Sequence, residues 1–332
     1  MNKYYTRACN FYYGLISAEK VKKKLSIPLH GNKLISFDAV EIISRKKIRK
    51  LNIKEINKLK GKNKKKILSD LKKITKKKKI KGLKFSNFPI LMGVLNLTPN
   101  SFSDGGKFNK KKLGEEHAKK LIKDGCGILD IGGEATNPGS KNVSFKEEWK
   151  RIFPTLVKIK NLKKFISLDT RKSLIMKRGI ENKINLVNDV SGLEYDKDTI
   201  KILKESNIPF VIHHMQGNPE TMQINPKYQN VILDIYDFFE KKIDYVRSKG
   251  IKHNNIILDP GIGFGKNLKH NITILQNISI FHSLGFPIML GTSRKRFIKD
   301  LSGINDSKER LGGTIASCLS AIMQGVQILR IH

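Results

Sequence analysis

The sequence of 332 residues contains no apolar run near the roughly 18 residues that a membrane-spanning helix requires, and Met-Asn-Lys-Tyr-Tyr-Thr-Arg at its start is not a hydrophobic leader core. The expectation is a cytoplasmic protein without a membrane partner. Cysteine is scarce: Cys9, Cys126 and Cys318 are odd in number and far apart, with no C-x-x-C. A disulfide framework and a zinc site are both disfavoured, and the three read as reduced thiols. Acid is also short, with 29 Asp and Glu against 65 Lys and Arg and a net charge of +36. Such an excess ordinarily suggests nucleic acid or an anionic surface. Here 54 of the basic residues are Lys, and Ile and Asn are also abundant, which reads as genome-wide codon bias. Nucleic acid is disfavoured as a partner.

What is present falls into two parts. Residues 1 to 87 hold 27 Lys and Arg against 5 Asp and Glu, so a composition shift near Ser86 separates a Lys-rich N-terminal extension of unassigned role (1–87) from the rest (88–332). The run from Lys60 to Lys79 has no aromatic residue on which a base could stack, so a solvated or docked helix face is preferred over an RNA contact. From Pro89 onward short apolar runs alternate with helical patterns: Ile90 to Leu97, Ile128 to Ile131, Phe165 to Leu168, Leu186 to Val187, Phe210 to Ile212, Ile256 to Leu258, Ile288 to Leu290 and Gln327 to Ile331. Ser144-x-x-Glu147 predicts a capping box, and Gly125, Gly250 and Gly325 predict helix ends. Strand alternating with helix implies parallel pairing, and eight such units over this length predict an α/β (β/α)8 TIM barrel.

Almost every strand ends in a residue foreign to a core: Asn96, Asp130, Asp169, Asn188, His213 to Met215, Asp259, Ser293 to Lys295, then Arg330 and His332. One Asp at a strand end is ordinarily a helix cap, but a series this long is hard to explain that way. In a barrel these ends form one rim around one ligand. Asp169, Asp259 and Asn188 can present acceptors, and one acceptor–donor pair, to a flat heterocycle whose edge alternates N–H donors with a carbonyl, as a base or pterin does. Arg330, His332, Asn96 and the hydroxyl-rich loop after the first strand suit an oxyanion such as pyrophosphate, directly or through a hard cation. The glycines of Asp259-Pro-Gly-Ile-Gly-Phe-Gly-Lys266 fail the G-x-G-x-x-G spacing, and Asn267 stands where a P-loop needs Ser or Thr. His213 and His214 are adjacent on a strand and face opposite ways, which argues against joint metal ligation. Trp149 reads as barrel packing.

Met92-Gly-Val-Leu-Asn-Leu-Thr-Pro-Asn-Ser-Phe-Ser-Asp-Gly-Gly106, Asp130-Ile-Gly-Gly-Glu-Ala-Thr-Asn-Pro-Gly139, Ser167-Leu-Asp-Thr170, Asn188-Asp-Val-Ser191, His214-Met-Gln-Gly217, Asp259 to Lys266 and Ser293-Arg-Lys295 together resemble the dihydropteroate synthases. The resemblance spans about residues 88 to 332 in the family's order and spacing. It implies that 4-aminobenzoate displaces pyrophosphate from (7,8-dihydropterin-6-yl)methyl diphosphate, with pyrophosphate leaving first. It further implies that Asp169, Asn188, Asp259 and Lys295 read the pterin, and that Asn96 binds Mg²⁺ on the diphosphate. Arg330 and His332 would clamp that diphosphate, with Ser293 and Thr136 nearby. Asp104 would stabilise the developing cation, Phe102, Pro138 and Phe264 would pack around the benzoate ring, and a homodimer is compatible. Asn100 departs from the family's Thr-Pro-Asp, and Asn137 replaces its usual second-loop Arg. Asn137 keeps open the alternative of a catalytically impaired pterin-binding module. A pterin-dependent methyltransferase is a further alternative, against which the Ser-Phe-Ser-Asp-Gly-Gly and Ser-Arg-Lys segments argue.

His332 follows the eighth strand at once, leaving no residues for an eighth barrel helix. Either the natural chain runs on, or the extension covers the flank beside strands one and eight. For the second case, the apolar positions Ile53, Ile56, Leu59, Ile67, Leu68, Leu71 and Ile74 predict one amphipathic helix interrupted near Gly61 that docks in the vacant slot.

Overall fold

The computed structural model describes residues 3–56, 58–85, 89–98, 113–135, 140, 142–217 and 221–332. The first seven elements are β1 (Tyr5–Tyr13), α1 (Gly14–Lys22), β2 (Ile27–Leu29), β3 (Asn32–Ile43), β4 (Ile48–Asn52), α2 (Ile53–Ile56) and α3 (Gly61–Thr75). Strand β3 is the spine of an antiparallel sheet, pairing with β1 on one edge and with β2 and β4 on the other. Ala8, Phe37, Val40 and Leu51 meet Ile56, Ile67, Leu71 and Ile74 in a core of this layer's own. The amphipathic pattern is therefore real and interrupted before Gly61, but its apolar face covers the extension's own sheet.

The strands β5 (Ile90–Asn96), β6 (Ile128–Gly132), β7 (Phe165–Asp169), β8 (Leu186–Asp189), β9 (Phe210–His213), β10 (Ile256–Asp259), β11 (Met289–Leu290) and β12 (Ile328–Ile331) pair in parallel in the order β10-β9-β8-β7-β6-β5-β12-β11. A parallel bridge from Leu258 to Ile288 brings the two ends of this sheet together into a barrel. Helices α4 (Leu113–Lys123), α5 (Phe145–Ile159), α6 (Ser173–Glu181), α7 (Thr199–Ser206), α8 (Val231–Ser248), α9 (Leu268–Asn277), α10 (Arg296–Ser302) and α11 (Leu311–Met323) surround it. Among the described residues no helix is long and apolar enough to cross a membrane. The Ser144 hydroxyl accepts from the Glu147 amide at 3.3 Å, yet Glu147 reaches forward to Arg151 at 3.1 Å, so the predicted box is realised as a simple N-cap. Trp149 sits 5.4 Å from the Phe153 ring and beneath the Arg178 guanidinium, joining α5 to α6 as expected of packing.

Inside the barrel, Met92, Ile128, Leu186, Val211, Ile257, Met289 and Ile328 form the lower core layer, and Ile80 from the extension joins them. Ile80 and Leu83 form a tight antiparallel bridge, with the Lys81 amide donating to the Asn254 carbonyl at 3.1 Å. This turn stoppers the barrel at the end where the strands begin. The rest of the extension leans on α8 and on the 3₁₀ segment Ile278–Leu284. Tyr5 packs edge-on against Tyr236 at 5.0 Å and donates to Asp237 at 2.9 Å; Arg45 pairs with Asp234 and Asp237, each at 2.8 Å. Docking into the slot beside strands one and eight is thus not what the structure shows. The apolar side chains that could have turned that way are spent on β1 to β4. On α11 the spacing-of-four stripe Leu311, Ile315, Leu319 and Met323 remains exposed.

Candidate active site

Most barrel strands are apolar until their last one or two positions, because a side chain at the carboxyl end lies above the packed interior and can be polar. Asp169 ends β7 at 7% exposure, Asp259 ends β10 at 4%, and Asn188 and Asp189 end β8 at 2% and 0%. Asp130, named above as a strand end, stands two residues inside β6 and is wholly buried. Its charge is met by Arg330, whose Nε donates to Asp130 Oδ2 at 2.6 Å and whose Nη2 donates to Asp169 Oδ2 at 2.8 Å. The Asn188 amide donates to the same Asp130 oxygen at 3.2 Å. One guanidinium therefore ties strands two, three and eight together.

Burial pushes the Asp169 carboxyl above the usual carboxylate range, Arg330 opposes that shift, and Asp130 adds to it. For Arg330 burial works against the charge, but Asp130 and Asp169 outweigh it and hold the guanidinium above its ordinary value. Burial also raises Asp259, with Lys295 pulling the other way, and lifts Asp189 to about 6. Lys295 is lowered to about 8 by burial. Its ammonium lies 4.7 Å over the Phe264 ring and donates to the Ile262 carbonyl. The outer oxygens Asp130 Oδ1, Asp169 Oδ1 and Asn188 Oδ1 are buried and have no partner among the described residues. Such acceptors carry a desolvation cost until a donor arrives.

The other side of the rim holds Ser293 and His332, with the His332 ring nitrogen Nδ1 at 3.1 Å from the Ser293 hydroxyl. Asn96 is half-buried at the end of β5. The glycine segment after β10 packs against His214 and Gln216, which follow β9. Gly261 has φ +68°, and a Cβ there would stand 2.0 Å from the His214 carbonyl oxygen, so only glycine fits. The Gly261 amide donates to Asp259 Oδ1 at 2.8 Å, holding that carboxylate in place. His213 and His214 part as expected: the His213 ring meets the Val190 carbonyl, while Lys266 Nζ lies 2.9 Å from His214 Nδ1. Among the described residues no three His, Cys, Asp or Glu side chains gather as a metal cluster. Asp104, Phe102, Thr136, Pro138, Asn100 and Asn137 lie outside the described residues.

A buried ion network also went unforeseen. Glu134 receives Arg171 at 3.0 Å and Lys172 at 3.0 Å; Lys172 also reaches Glu148 at 2.6 Å, and the Val143 amide donates to Glu134 at 2.9 Å. Both stems of the loop after β6 are thereby fastened to the end of β7. Glu134 and Arg171-Lys172 adjoin strand ends in the sequence, and that adjacency was the available signal.

A parallel barrel whose carboxyl rim carries buried, donor-seeking acceptors beside a hydroxyl–imidazole pair defines a ligand-binding enzyme barrel, and residues 92–332 match the family model described as pterin binding enzyme. The chain is 39% identical over 243 residues to a dihydropteroate synthase of Synechocystis sp., covering 73% of this chain and 84% of that protein. Among solved structures it is similar to the Yersinia pestis dihydropteroate synthase with a sulfonamide drug complex, at 36% identity and a TM-score of 0.73, covering 75% of this chain and 90% of that one. It is similar also to the Xanthomonas albilineans enzyme with 4-aminobenzoic acid, at 32% identity and a TM-score of 0.70, covering 75% and 89%. The chain belongs to the dihydropteroate synthases, transferases that form a carbon–nitrogen bond in folate biosynthesis.

Proposed function

We propose that this chain joins (7,8-dihydropterin-6-yl)methyl diphosphate to 4-aminobenzoate, giving 7,8-dihydropteroate and pyrophosphate. The observation that carries the reading is the set of unpartnered buried acceptors, Asp130 Oδ1, Asp169 Oδ1 and Asn188 Oδ1, on one rim. They suit the amino and ring N–H donors of a pterin edge, and Asp259 with Lys295 supplies a further acceptor and donor. Asp130 joins the pterin-reading residues expected from the sequence, because Arg330 couples it to Asp169.

In this reading the methylene C–O bond breaks first and its electron pair departs with pyrophosphate. The amine of 4-aminobenzoate then forms the C–N bond and loses a proton. Ser293, His332 and Thr136 receive the diphosphate, and the Arg330 guanidinium lies between it and the pterin carboxylates. As the family resemblance implies, Asp104 would stabilise the cation, and Phe102, Pro138 and Phe264 would pack on the benzoate. Asn96 offers one hard oxygen, a donor set Mg²⁺ accepts when phosphates and water complete its octahedron. A bound Mg²⁺ would neutralise charge on the leaving group. A homodimer would cover the exposed α11 stripe, and light scattering reads it directly. The test of the reaction is purified chain with Mg²⁺ and both substrates, following pyrophosphate release. Folded protein that binds pterin yet releases no pyrophosphate would overturn the catalytic reading.

A further inference from the structure

At the opposite end of the barrel from the rim, a cavity of about 290 Å³ opens between the extension and the foot of the eighth strand. Its polar wall includes His30, Asn32, Lys77, Lys78 and Gln327, and its apolar wall includes Leu34, Ile35 and Phe85. Lys78 is 6% exposed, and its ammonium donates to the Lys73 carbonyl at 2.7 Å. Among the described residues no carboxylate pairs with it, and burial, added to by the nearby charges of Lys73 and Lys76, lowers it to about 7. Both ring nitrogens of His30 and the Gln327 Nε2 are buried without a hydrogen-bond partner. The carbonyls of Ile74 and Gly325 lie near the His30 ring but do not meet hydrogen-bond geometry with it. His282 lies edge-on at 4.3 Å and spends one nitrogen on the Gln324 carbonyl at 2.7 Å, leaving no acid there either.

A buried lysine amine held by a single backbone carbonyl, an amide N–H without a partner and an imidazole without one, with no carboxylate among the described residues, form a donor-rich wall that costs free energy unless a further acceptor completes it. Water would satisfy hydrogen bonds but not charge. The volume sits at the lower bound of small-molecule sites, and the apolar wall disfavours a bare inorganic ion. We propose that this cavity binds a short-chain organic monocarboxylate, its carboxylate on Lys78, His30 and Gln327 and its hydrocarbon tail against Ile35 and Phe85. The site owes nothing to the catalytic rim, and it joins the extension to the barrel, so occupancy would tighten their contact.

Calorimetric titration of the full chain with hexanoate, acetate and inorganic phosphate tests the proposal. Hexanoate is expected to bind more tightly than acetate or phosphate. Lys78→Met should weaken hexanoate by about tenfold, the size of one charged hydrogen bond. Leu34, 53% exposed at the mouth, provides a variant that spares the core: Leu34→Glu brings its own carboxylate and should abolish hexanoate binding with turnover unchanged. Hexanoate binding that Leu34→Glu leaves intact, absence of binding to the unaltered chain at millimolar concentration, or tighter binding of phosphate would each overturn the assignment.

Discussion

Arg330→Met removes the one guanidinium that, among the described residues, is shared by two carboxylates of the rim, and leaves an unbranched apolar side chain in its place. Asp130 is fully buried and the Asp169 side chain is 8% exposed, whereas Arg330 retains 22%, so the loss strands two carboxyls with almost no access to solvent. Breaking one partner from a buried pair costs about 3 to 5 kcal/mol. The cost should depend on pH in a definite direction. The folded pKa of Asp169 is raised above its unfolded value near 3.9, so the folded state holds a proton that the unfolded chain releases. Its contribution therefore falls as pH climbs from the unfolded value toward the folded one, at no more than about 1.4 kcal/mol per unit. Without Arg330 the folded value rises further and the window widens. Urea unfolding followed by circular dichroism at pH 6 and pH 9 should give the smaller loss at the lower pH, where Asp169, raised to about 8, is protonated with or without Arg330, and the full loss of about 3 to 5 kcal/mol at the higher, where Arg330 faces an ionised Asp169. A loss below about 1 kcal/mol, or an equal loss at both pH values, would refute the shared-guanidinium account.

Asp169→Ala or Asp259→Ala should weaken pterin binding by roughly 2 to 4 kcal/mol, measured calorimetrically; unchanged affinity would move the pterin elsewhere. Asn137→Arg restores the family's cation and should lower the KM for 4-aminobenzoate or raise kcat, whereas a fall in kcat with a rise in KM would mean that a Lys such as Lys107 or Lys141 already serves. Gly261→Ala should cost at least about 2 kcal/mol and most of the turnover, since its Cβ meets the His214 carbonyl at 2.0 Å; near-normal activity would show that the strand end can yield. Deleting residues 1–87 should give aggregated or inactive protein because Tyr5 and Ile43 are part of the barrel's outer core and Ile80 of its inner one; a soluble, fully active deletion would dismiss that dependence.

The barrel strands were legible because each apolar run is short and stops at a polar residue, a local signal that needs no knowledge of partners. Predicted ends such as Leu168 and Leu258 fall within a residue of the observed ones at Asp169 and Asp259. Which rim residues bond one another was not legible. Arg330 and Asp130 are 200 positions apart, and Arg330 reads equally well as an anion clamp until the barrel brings a carboxylate under it. The extension misled for a related reason. Its helix periodicity announces an apolar face, but a face does not name its partner, and the sheet of Tyr5–Tyr13 and Asn32–Ile43 lacks the clean alternation that would have announced a rival. The stopper at Ile80 carries no pattern at all, being one apolar residue in a run of lysines.

Tyr5 and Asp237 meet across 232 residues, and that separation sets an order of events during synthesis. The extension emerges before the barrel and can assemble its own small core, but α8, on which it rests, is made only after five barrel strands. At 5 to 20 residues per second the face of β1 that will bury Tyr5 waits on the order of 10 to 50 s for its counterpart. During that interval the tyrosine-bearing face of β1 stands open in a segment with 27 basic and 5 acidic residues, and like-charge repulsion between neighbouring nascent copies would oppose their association. The lysine excess of the extension would then serve the chain before it is finished.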